Sequence, residues 1–406
     1  MDEFDNQERR ALAALVRSFT ETEIVPGLRE WEAAGDLPRS LHERAGDLGL
    51  LGLSYPEEVG GSGGDLLDVV VMTEEILAGG GSGGLIAGLF THGISIPHVV
   101  DAAARRRADA DLTSDPADAE ILVDRVIRPT LTGRAITCLA VTEPDGGSDV
   151  GGLRTAAVPV DSNGEDAAPA AATHWRLNGA KAYITSGARA DFAVVAARAF
   201  GPGAAGIALF VVPTDTPGFT VTAKMNKMGW HCSDTAELSL TDVVVPEWAL
   251  LTPGAGEGFG SLARHFAVER ISLAVTAYAT AARCLELTLD WARQRETFGR
   301  PLISRQVVRH DLVEMHRQTD VARTYTRTVA ARVAAGEDAL LAAAMAKNTA
   351  VAACDWVVDM AVQLHGGYGF LQDAEVEMHY RDARVLGIGG GATEVMTDLA
   401  AKLLGY

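Results

Sequence analysis

The amino-acid sequence predicts an α+β chain built in three parts, which are helical, then β, then helical again. Apolar residues recur at helical spacing before about residue 135, short β-branched runs between turn residues follow, and long Ala/Leu/Val-rich segments complete the chain. A length of 406 residues also favours more than one domain, because domains typically contain about 100–200 residues. We therefore expect a helical domain at residues 1–135, a β domain at 136–250 and a second helical domain at 251–406.

The N-terminal part contains two clear helical segments. Residues 9–19 carry apolar side chains at helical spacing, and residues 66–78 follow a Gly-rich turn, GGSGGD. By contrast, residues 105–119, RRRADADLTSDPADA, contain almost no large apolar side chain and include a proline. We expect this segment to form a solvated loop or a short disordered insertion.

The middle part has the texture of short strands. The runs ITCLAVT, HWRLNGAKAYIT, FAVVAAR, GIALFVVP and FTVTAK are separated by Gly, Asn, Asp and Pro. Residues 161–173, DSNGEDAAPAAAT, lie between two of these runs, and we expect them to form a long hairpin loop at the surface.

The C-terminal part is predicted to consist of long helices. Several segments are apolar around most of their circumference, which is typical of helices inside a bundle or at a subunit interface. These segments begin at Leu262, Val307, Ala339 and Val351.

Composition and charge exclude several classes of function. A formal net charge of -19 and a pI near 4.9 argue against a nucleic-acid or anionic-membrane surface, which would be basic. The acidic, polar N-terminus does not resemble a signal peptide, and no run of 18 apolar residues predicts a membrane span. The cysteines lie far apart without a CxxC pair, so we expect neither a metal site nor a disulfide framework, which fits a reducing cytoplasm. They are Cys138, Cys232, Cys284 and Cys354.

Three Gly-containing motifs are candidates for ligand binding. LAVTEPDGGSDVGG, residues 139–152, is a strand followed by a turn whose N–H groups and hydroxyls suit a ligand, or a tight structural turn. It lacks the spacing of a Rossmann turn and of a P-loop. QLHGGYGF, residues 363–370, interrupts a helix with glycines, and RETFGR, residues 295–300, ends a helix with a cation and an aromatic. A helix–helix turn and a solvated helix end would look the same.

Glu269 is a candidate catalytic base. Leu262, Phe266, Glu269 and Leu273 are spaced by four, three and four residues, so the carboxylate shares a helical stripe with large apolar side chains. Such a carboxylate is costly unless it is paired or functional. Arg270 offers a buried ion pair as a structural explanation. If desolvation dominates instead, the pKa of Glu269 rises toward neutrality, which suits a general base.

Taken together, these motifs resemble the acyl-CoA dehydrogenase family. TEPDGGSD, residues 142–149, and QLHGGYGF with the downstream RDAR, residues 381–384, look like the two signature regions of that family, in its order and separation. KAYITSGA, KMGWHCSDTAEL, RETFGRPLISRQ and IGGGATEVM extend the resemblance over nearly the whole chain. The resemblance implies an N-terminal helical domain, a middle β-barrel, a C-terminal four-helix bundle, a homotetramer and FAD as cofactor.

The resemblance also implies residues that contact FAD. One set, expected to line the flavin, is Leu139, Val141, Thr142, Gly147, Ser148, Tyr183 and Thr185. A second set, expected to hold the phosphates and adenine of the FAD of a neighbouring subunit, is Arg295, Phe298, Gln306, Gln363, Gly366 and Gly367. Glu394 matches a further family position that touches FAD, and we expect Ser148 and Arg270 to contact the substrate.

The sequence departs from the common family pattern at the usual base. Many members read Tyr-Glu-Gly-Thr where this chain reads Gly389-Gly390-Gly391-Ala392. A subset resembling isovaleryl-CoA and long-chain enzymes carries the base on the first long helix of the C-terminal domain, in a Glu-Arg pair that Glu269-Arg270 matches.

The resemblance therefore implies that Glu269 removes the α proton of an acyl-CoA while the β hydrogen leaves as hydride to flavin N5. It further implies that the Gly390 N–H and a flavin ribityl hydroxyl bind the thioester oxygen, and that an electron-transfer flavoprotein accepts the electrons.

Three alternatives remain open within this superfamily. An acyl-carrier-protein-linked dehydrogenase would carry out the same chemistry on a tethered substrate. Flavin oxidases and monooxygenases also lack the usual Glu, although they commonly diverge in the signature regions that are intact here. A catalytically dead scaffold would bind FAD without a base. The glycine triplet and the helix-borne base favour a branched or bulky acyl group.

Overall fold

The computed structural model describes residues 3–108, 117–168 and 172–406. It confirms the predicted order of a helical part, a sheet and a second helical part. The N-terminal helices are α1 (Gln7–Phe19), α2 (Val25–Ala34), α3 (Arg39–Asp47), α4 (Leu66–Ala78), α5 (Gly83–Leu89), α6 (His92–Ala108), α7 (Asp118–Leu122) and α8 (Arg128–Leu131).

The two predicted N-terminal helices, α1 and α4, are confirmed, and local capping explains where they begin. The Asn6 side chain accepts a hydrogen bond from the Arg9 N–H at the start of α1. At the start of α4, Asp65 and Asp68 form a reciprocal capping box with each other's backbone.

The prediction of a loop over residues 105–119 is wrong at both ends. Residues 105–108 complete α6, and residues 118 and 119 begin α7, while residues 109–116 lie outside the described residues. The Arg105 and Arg106 guanidinium groups donate to the carbonyls of Leu251 and Leu250, at 2.7 and 2.5 Å. These arginines therefore order the end of α6 through tertiary contacts, which composition does not reveal.

One stretch of the described residues, 83–108 in α5 and α6, is long and apolar enough to cross a membrane by length and composition. However, 61% of its most hydrophobic window is buried inside the protein. Ile96 and Val99, for example, pack in the core between α6 and the sheet. Packing within the fold thus accounts for the apolar character of this stretch.

The middle part is one seven-stranded sheet that curves into a half-barrel. The β1–β4 pair is parallel, β2–β3 is an antiparallel hairpin, and β3 and β7 form a long antiparallel pair. The predicted hairpin loop between β2 and β3 is confirmed, although its residues 169–171 lie outside the described residues. The strands are β1 (Thr137–Ala140), β2 (Ala156–Val160), β3 (His174–Thr185), β4 (Phe192–Arg198), β5 (Ile207–Pro213), β6 (Phe219–Lys224) and β7 (Thr235–Pro246).

The C-terminal part is a bundle in which α9, α10 and α11 pack along one another and α13 lies against α11. The segments predicted to start at Ala339 and Val351 form a single helix, because no Gly or Pro interrupts the chain between them. Its elements are α9 (Glu257–Gln294), the short β8 (Glu296–Thr297) and β9 (Arg300–Pro301), α10 (Gln306–Ala334), α11 (Leu340–His365), α12 (Glu375–Ala383) and α13 (Thr393–Leu404).

Asp382, in α12, joins all three parts. Its carboxylate accepts the Gly84 N–H from α5 at 2.9 Å and the Trp230 N–H from the β part at 2.6 Å. Burial, together with the nearby Glu32 charge, raises the pKa of Asp382 to about 6, although these two hydrogen bonds oppose the rise. The aspartate of the RDAR motif is therefore a junction residue.

Candidate active site

The loop that carries TEPDGGSD is held by a buried ion pair. The Glu143 carboxylate accepts hydrogen bonds from the Arg154 N–H, from the Thr155 N–H and hydroxyl, and from the Lys181 ammonium, at 2.6–2.9 Å. Lys181, on β3, is fully buried and also donates to the Val141 carbonyl at 3.0 Å. The ion pair thus fastens both the loop and the end of β1 to β3.

The pKa values of this pair reflect burial and pairing. Burial raises the pKa of Glu143, but the hydrogen bonds from Thr155 and Arg154 and the Lys181 charge outweigh it, so that this pKa falls to about 2. Burial lowers the pKa of Lys181 to about 8, although Glu143 opposes the shift.

The first predicted FAD set lies around this loop and the adjoining end of β3. The Ala182 N–H donates to the Thr142 carbonyl at 3.0 Å, which brings the loop beside β3. Gly147 and Ser148 are exposed, and Tyr183 is 65% exposed in a left-handed conformation, with φ +60°, at a register shift between β3 and β7. Such bulges re-aim side chains. The remaining members of this set are half-buried: Leu139, Val141, Thr142 and Thr185.

The second predicted FAD set surrounds a cavity of about 420 Å³ at the C-terminal ends of α9 and α11. Arg295, Gly366 and Gly367 line it. The other members lie on adjoining elements: Phe298 in the β8–β9 turn, Gln306 at the start of α10 and Gln363 in the last turn of α11.

An aromatic stack in this cavity was missed by sequence reasoning. The Trp291 ring lies parallel to Tyr368, with centroids 5.1 Å apart and an angle of 9° between planes, and it stacks on His365 at 5.1 Å and 20°. Trp291 precedes Arg295 by one helical turn, so a tryptophan at this spacing from the motif arginine was an available signal.

These two regions fit the parts of FAD. Flat aromatic rings beside an arginine suit an adenine and its phosphates, and an added Cβ at Gly366 would meet nothing within 4 Å. Phe298 is 96% exposed, which is unusual for a large apolar side chain unless something covers it. The exposed hydroxyl of Ser148 and the half-buried Thr142 suit the polar edge of a flavin ring.

Glu269 lies on α9 beside the glycine segment, defined here as residues 387–393. A Cβ placed on Gly390 would lie 3.5 Å from the Glu269 Oε1 atom and 2.2 Å from the Leu273 Cδ1 atom. The structure therefore brings Glu269 next to Gly390, the position at which the family resemblance leads us to expect the usual base. Burial raises the pKa of Glu269 to about 7, and the charges of Arg270 and Lys347 only partly oppose this rise.

The buried ion pair considered for Glu269 and Arg270 is not formed among the described residues. The Arg270 Nε atom is buried without a hydrogen-bond partner, and the guanidinium carbon lies 5.6 Å from the centre of the Phe266 ring. Consecutive helix residues point in different directions, which keeps the two groups apart. Arg270 is itself buried, and no carboxylate of the described residues forms an ion pair with it.

The glycine segment has a backbone that favours glycine. Gly390 and Gly391 have φ values of +63° and +96°, in the left-handed region. Among the hydrogen bonds of the described residues, none has the Gly390 N–H as its donor. This N–H is therefore free to bind a ligand oxygen.

Two neighbouring α11 residues that sequence reasoning missed anchor this segment. The fully buried Lys347 donates from Nζ to the Gly391 carbonyl at 2.9 Å, and Asn348 donates to the Thr393 carbonyl at 3.0 Å. A lysine inside an Ala-rich helix was the only signal available in the sequence. Burial lowers the pKa of Lys347 to about 8, and the charge of Glu394, an exposed residue at the start of α13, is among those that oppose this shift.

An exposed Gly-rich loop on a half-barrel, an aromatic cavity beside an arginine and a half-buried carboxylate of raised pKa together suit the class of flavin-dependent oxidoreductases. Models of the N-terminal, middle and C-terminal domains of acyl-CoA dehydrogenase match residues 6–108, 138–243 and 256–405. The chain belongs to the acyl-CoA dehydrogenase family.

Comparisons with individual proteins agree. The mitochondrial long-chain specific acyl-CoA dehydrogenase of Rattus norvegicus is 34% identical over 391 residues, which cover 95% of this chain and 84% of that protein. A putative acyl-CoA dehydrogenase of Mycobacterium smegmatis has a similar crystal structure, with a TM-score of 0.90, 51% identity and 99% of each chain covered.

A glutaryl-CoA dehydrogenase of Mycobacterium smegmatis, solved in complex with FADH2, has a TM-score of 0.84 at 26% identity and covers 100% of this chain and 96% of its own. The protein is therefore an FAD-dependent oxidoreductase of the acyl-CoA dehydrogenase family.

Proposed function

We propose that this protein converts an acyl-CoA to the trans-2-enoyl-CoA, with Glu269 as the base that removes the α proton. The observation that carries the proposal is the position of the Glu269 carboxylate beside Gly390, within 3.5 Å of a Cβ placed on that glycine. A pKa raised to about 7 by burial matches the strength of the base to neutral pH.

The residues of this chain divide the work between proton removal and stabilisation of charge. An α proton next to a thioester is a far weaker acid than a protonated carboxyl, so removal requires stabilisation of the developing negative charge on the thioester oxygen. The Gly390 N–H has no protein acceptor among the described residues and supplies one donor to that oxygen. FAD, when bound, would supply the acceptor for the hydride that leaves the β carbon. The proton then rests on Glu269 and the substrate has lost two hydrogens.

Replacement of the base tests this proposal. In Glu269→Gln, the amide cannot accept the proton, and we expect anaerobic flavin reduction by acyl-CoA to slow by ~10²–10⁴-fold. Glu286→Gln is a matched control, because Glu286 is an exposed carboxylate of the same helix in an (i, i+3) pair with Arg283. Reduction at the wild-type rate in Glu269→Gln, with FAD bound, would overturn the assignment of the base.

We propose an electron-transfer flavoprotein as the electron acceptor, on the basis of family membership. Turnover that depends on an added electron-transfer flavoprotein is the expected result. Stoichiometric hydrogen peroxide formed in air without an acceptor would identify an oxidase instead. The same assay with an acyl group on an acyl carrier protein rather than on CoA decides between the two tethers.

A branched or bulky acyl group remains our proposal for the substrate. Gly389, Gly390 and Gly391 carry no side chain at the place where Glu269 and Leu273 meet the glycine segment. We expect isovaleryl-CoA to bleach the oxidised flavin band at lower concentration than butyryl-CoA does in anaerobic titrations. Tighter binding of the unbranched thioester would contradict this preference.

We also propose a homotetramer in which the second FAD set serves a neighbouring subunit. Phe298, Phe370 and Val313 are 96%, 83% and 68% exposed, which leaves large apolar side chains uncovered on the C-terminal part. Light scattering coupled to size-exclusion chromatography is expected to give four times the mass of 42.7 kDa. We expect Phe298→Asp to lower both this mass and the FAD content, whereas a tetramer with full FAD content would contradict the shared site.

A further inference from the structure

Lys347 is a fully buried lysine that lies next to the candidate active site. Lysine is almost never fully buried unless its charge is paired. Its Nζ atom donates to the Gly391 carbonyl at 2.9 Å, yet no Asp or Glu oxygen of the described residues lies within 4.0 Å of it. A buried charge held by a carbonyl rather than by a carboxylate is costly, so a structural role alone does not explain it.

The group that Lys347 holds is part of a backbone that glycine makes flexible. Gly389, Gly390 and Gly391 are consecutive, and glycine loses more conformational freedom on folding than any other residue. The donor predicted to bind the thioester oxygen, the Gly390 N–H, lies in this run. A donor is useful in catalysis only when it is held in place before the reaction.

Asn348 holds the other end of the same segment. Its side-chain amide donates to the Thr393 carbonyl at 3.0 Å and to the Thr397 hydroxyl at 3.3 Å. The Thr393 hydroxyl in turn donates to the Gly387 carbonyl at 3.4 Å. Adjacent residues of α11, a helix with many buried residues in the bundle core, therefore hold the glycine segment at two points.

Lys347 also acts on Glu269 through its charge. The charged groups that face Lys347 are Glu269 and Arg270 of α9, Asp355 of its own helix and Glu394 of α13. The ammonium stabilises the ionised form of Glu269, as does Arg270, against the desolvation that favours the neutral acid.

We propose that Lys347 is a positioning residue of the active site, which holds the Gly390 N–H in place through the Gly391 carbonyl and supports the negative charge of Glu269. This inference rests on the proposed function of Glu269. One buried side chain would then align both the Gly390 N–H, which binds the thioester oxygen, and the base Glu269.

Variants of Lys347 separate its hydrogen bond from its charge. Lys347→Met removes both, Lys347→Gln keeps an N–H donor without the charge, and Lys402→Met is a control, because Lys402 is the exposed lysine of α13. Each purified protein is first checked for FAD content and thermal midpoint, so that only folded, loaded variants are compared.

Two readouts test the two parts of the role. Hydrogen–deuterium exchange of a peptide covering residues 387–393, which requires no turnover, should become faster in Lys347→Met and stay near wild type in Lys347→Gln. Anaerobic flavin reduction by isovaleryl-CoA and by octanoyl-CoA should slow by up to ~10²-fold in Lys347→Met. The pH midpoint of this rate should move upward in both variants, because Glu269 loses a stabilising charge.

A wild-type pH midpoint and unchanged exchange in folded Lys347→Met would overturn the inference. If Lys347→Met fails to fold, Lys347→Gln with an unmoved pH midpoint overturns the electrostatic part, and Asn348→Ala with unchanged exchange overturns the anchoring of the segment. The outcome for Glu269→Gln is independent of these results. If Glu269→Gln is inactive while Lys347 variants behave as wild type, only the present inference fails, whereas an active Glu269→Gln removes the proposed base itself.

Discussion

The active site has two loops, each fastened by a buried lysine, and the two lysines differ in how their charge is balanced. Lys181 donates to the Val141 carbonyl, directly before the loop that carries TEPDGGSD (residues 142–149, called the flavin loop below), and pairs with Glu143 of that loop at 2.9 Å. Lys347 donates to the Gly391 carbonyl of the glycine segment without a carboxylate in contact among the described residues. Each lysine thus fixes a loop backbone, but only Lys181 has its charge neutralised locally.

Because of this difference, Lys181 has a structural role, whereas Lys347 also influences the ionisation of the proposed base. A paired charge exerts little field at a distance, whereas an unpaired buried charge acts on the nearest ionisable group. One ionisable group that the Lys347 charge acts on is Glu269, where it opposes the rise in pKa that burial causes. The flavin loop needs a fixed shape, while the glycine segment needs a fixed shape and a base that can ionise near neutral pH.

The largest expected effect comes from breaking the ion pair between Lys181 and Glu143. Lys181→Met leaves the Glu143 carboxylate buried without its cation, and we expect the free energy of unfolding to fall by ~3–5 kcal/mol. Urea unfolding of FAD-loaded protein measures this loss. Lys402→Met is the control, and the double variant Glu143→Gln with Lys181→Met should recover part of the loss. A loss confined to the double variant would contradict the pairing argument.

A substitution in the glycine segment tests its backbone. In Gly390→Ala, the new Cβ would lie 2.2 Å from the Leu273 Cδ1 atom, and φ is +63°. We expect a loss of ~1–3 kcal/mol in the free energy of unfolding, together with slower flavin reduction. In Gly389→Ala the nearest atom lies 3.6 Å away, so its stability should stay close to wild type. Equal losses in both variants would show that the left-handed backbone is not the cause.

The pH dependence of turnover reports the electrostatics of the glycine segment. Glu269 must be ionised to accept a proton, and burial places its pKa at about 7. The value of kcat/KM should therefore rise with pH through about 7 and fall about tenfold per pH unit well below it. Initial rates between pH 5 and pH 9, at constant ionic strength, measure this profile. A profile flat from pH 5 to 8 would exclude Glu269 as the titrating base.

The smallest expected effect comes from Asn348, the uncharged residue that holds the glycine segment. Asn348→Ala removes the hydrogen bond to the Thr393 carbonyl, and we expect a loss of ~0.5–1.5 kcal/mol in the free energy of unfolding. The pH midpoint of turnover should not move, because no charge is removed. Thr397→Val removes the acceptor of the 3.3 Å hydrogen bond from Asn348 and also the hydroxyl that donates to the Thr393 carbonyl at 2.9 Å, and we expect it too to leave the pH midpoint unmoved. A shifted midpoint in Asn348→Ala would mean that loop position, rather than the Lys347 charge, sets the pKa of Glu269.

Parts of this site were predictable because they depend on short-range pattern. The stripe of Leu262, Phe266 and Leu273 placed Glu269 on an apolar face, and the Gly-rich motifs marked both regions that fit FAD. Other features were not predictable. Whether Arg270 pairs with Glu269 depends on where each side chain points after the bundle packs, and the structure shows no such pair between them.

The wrong loop prediction and the missed aromatic stack also arise from contacts between residues that are distant in the chain. Residues 105–108 lack large apolar side chains but are ordered by arginine contacts to carbonyls 146 and 144 positions away in the chain. Likewise, Trp291 and Tyr368 were not singled out, because their stacking joins the ends of two helices that are distant in sequence.

The sequence by itself determined the three-part order of the fold, the family and the identity of the candidate base, because helical period, strand alternation and motif spacing are local properties of the chain. Only the tertiary structure decided which groups surround that base. The contact of Lys347 with Gly391 joins residues 44 positions apart, and Glu269 and Gly390, which approach each other, are separated by more than twice that distance in the chain. Such contacts arise when helices pack, and packing brings together residues whose spacing in the chain carries no signal.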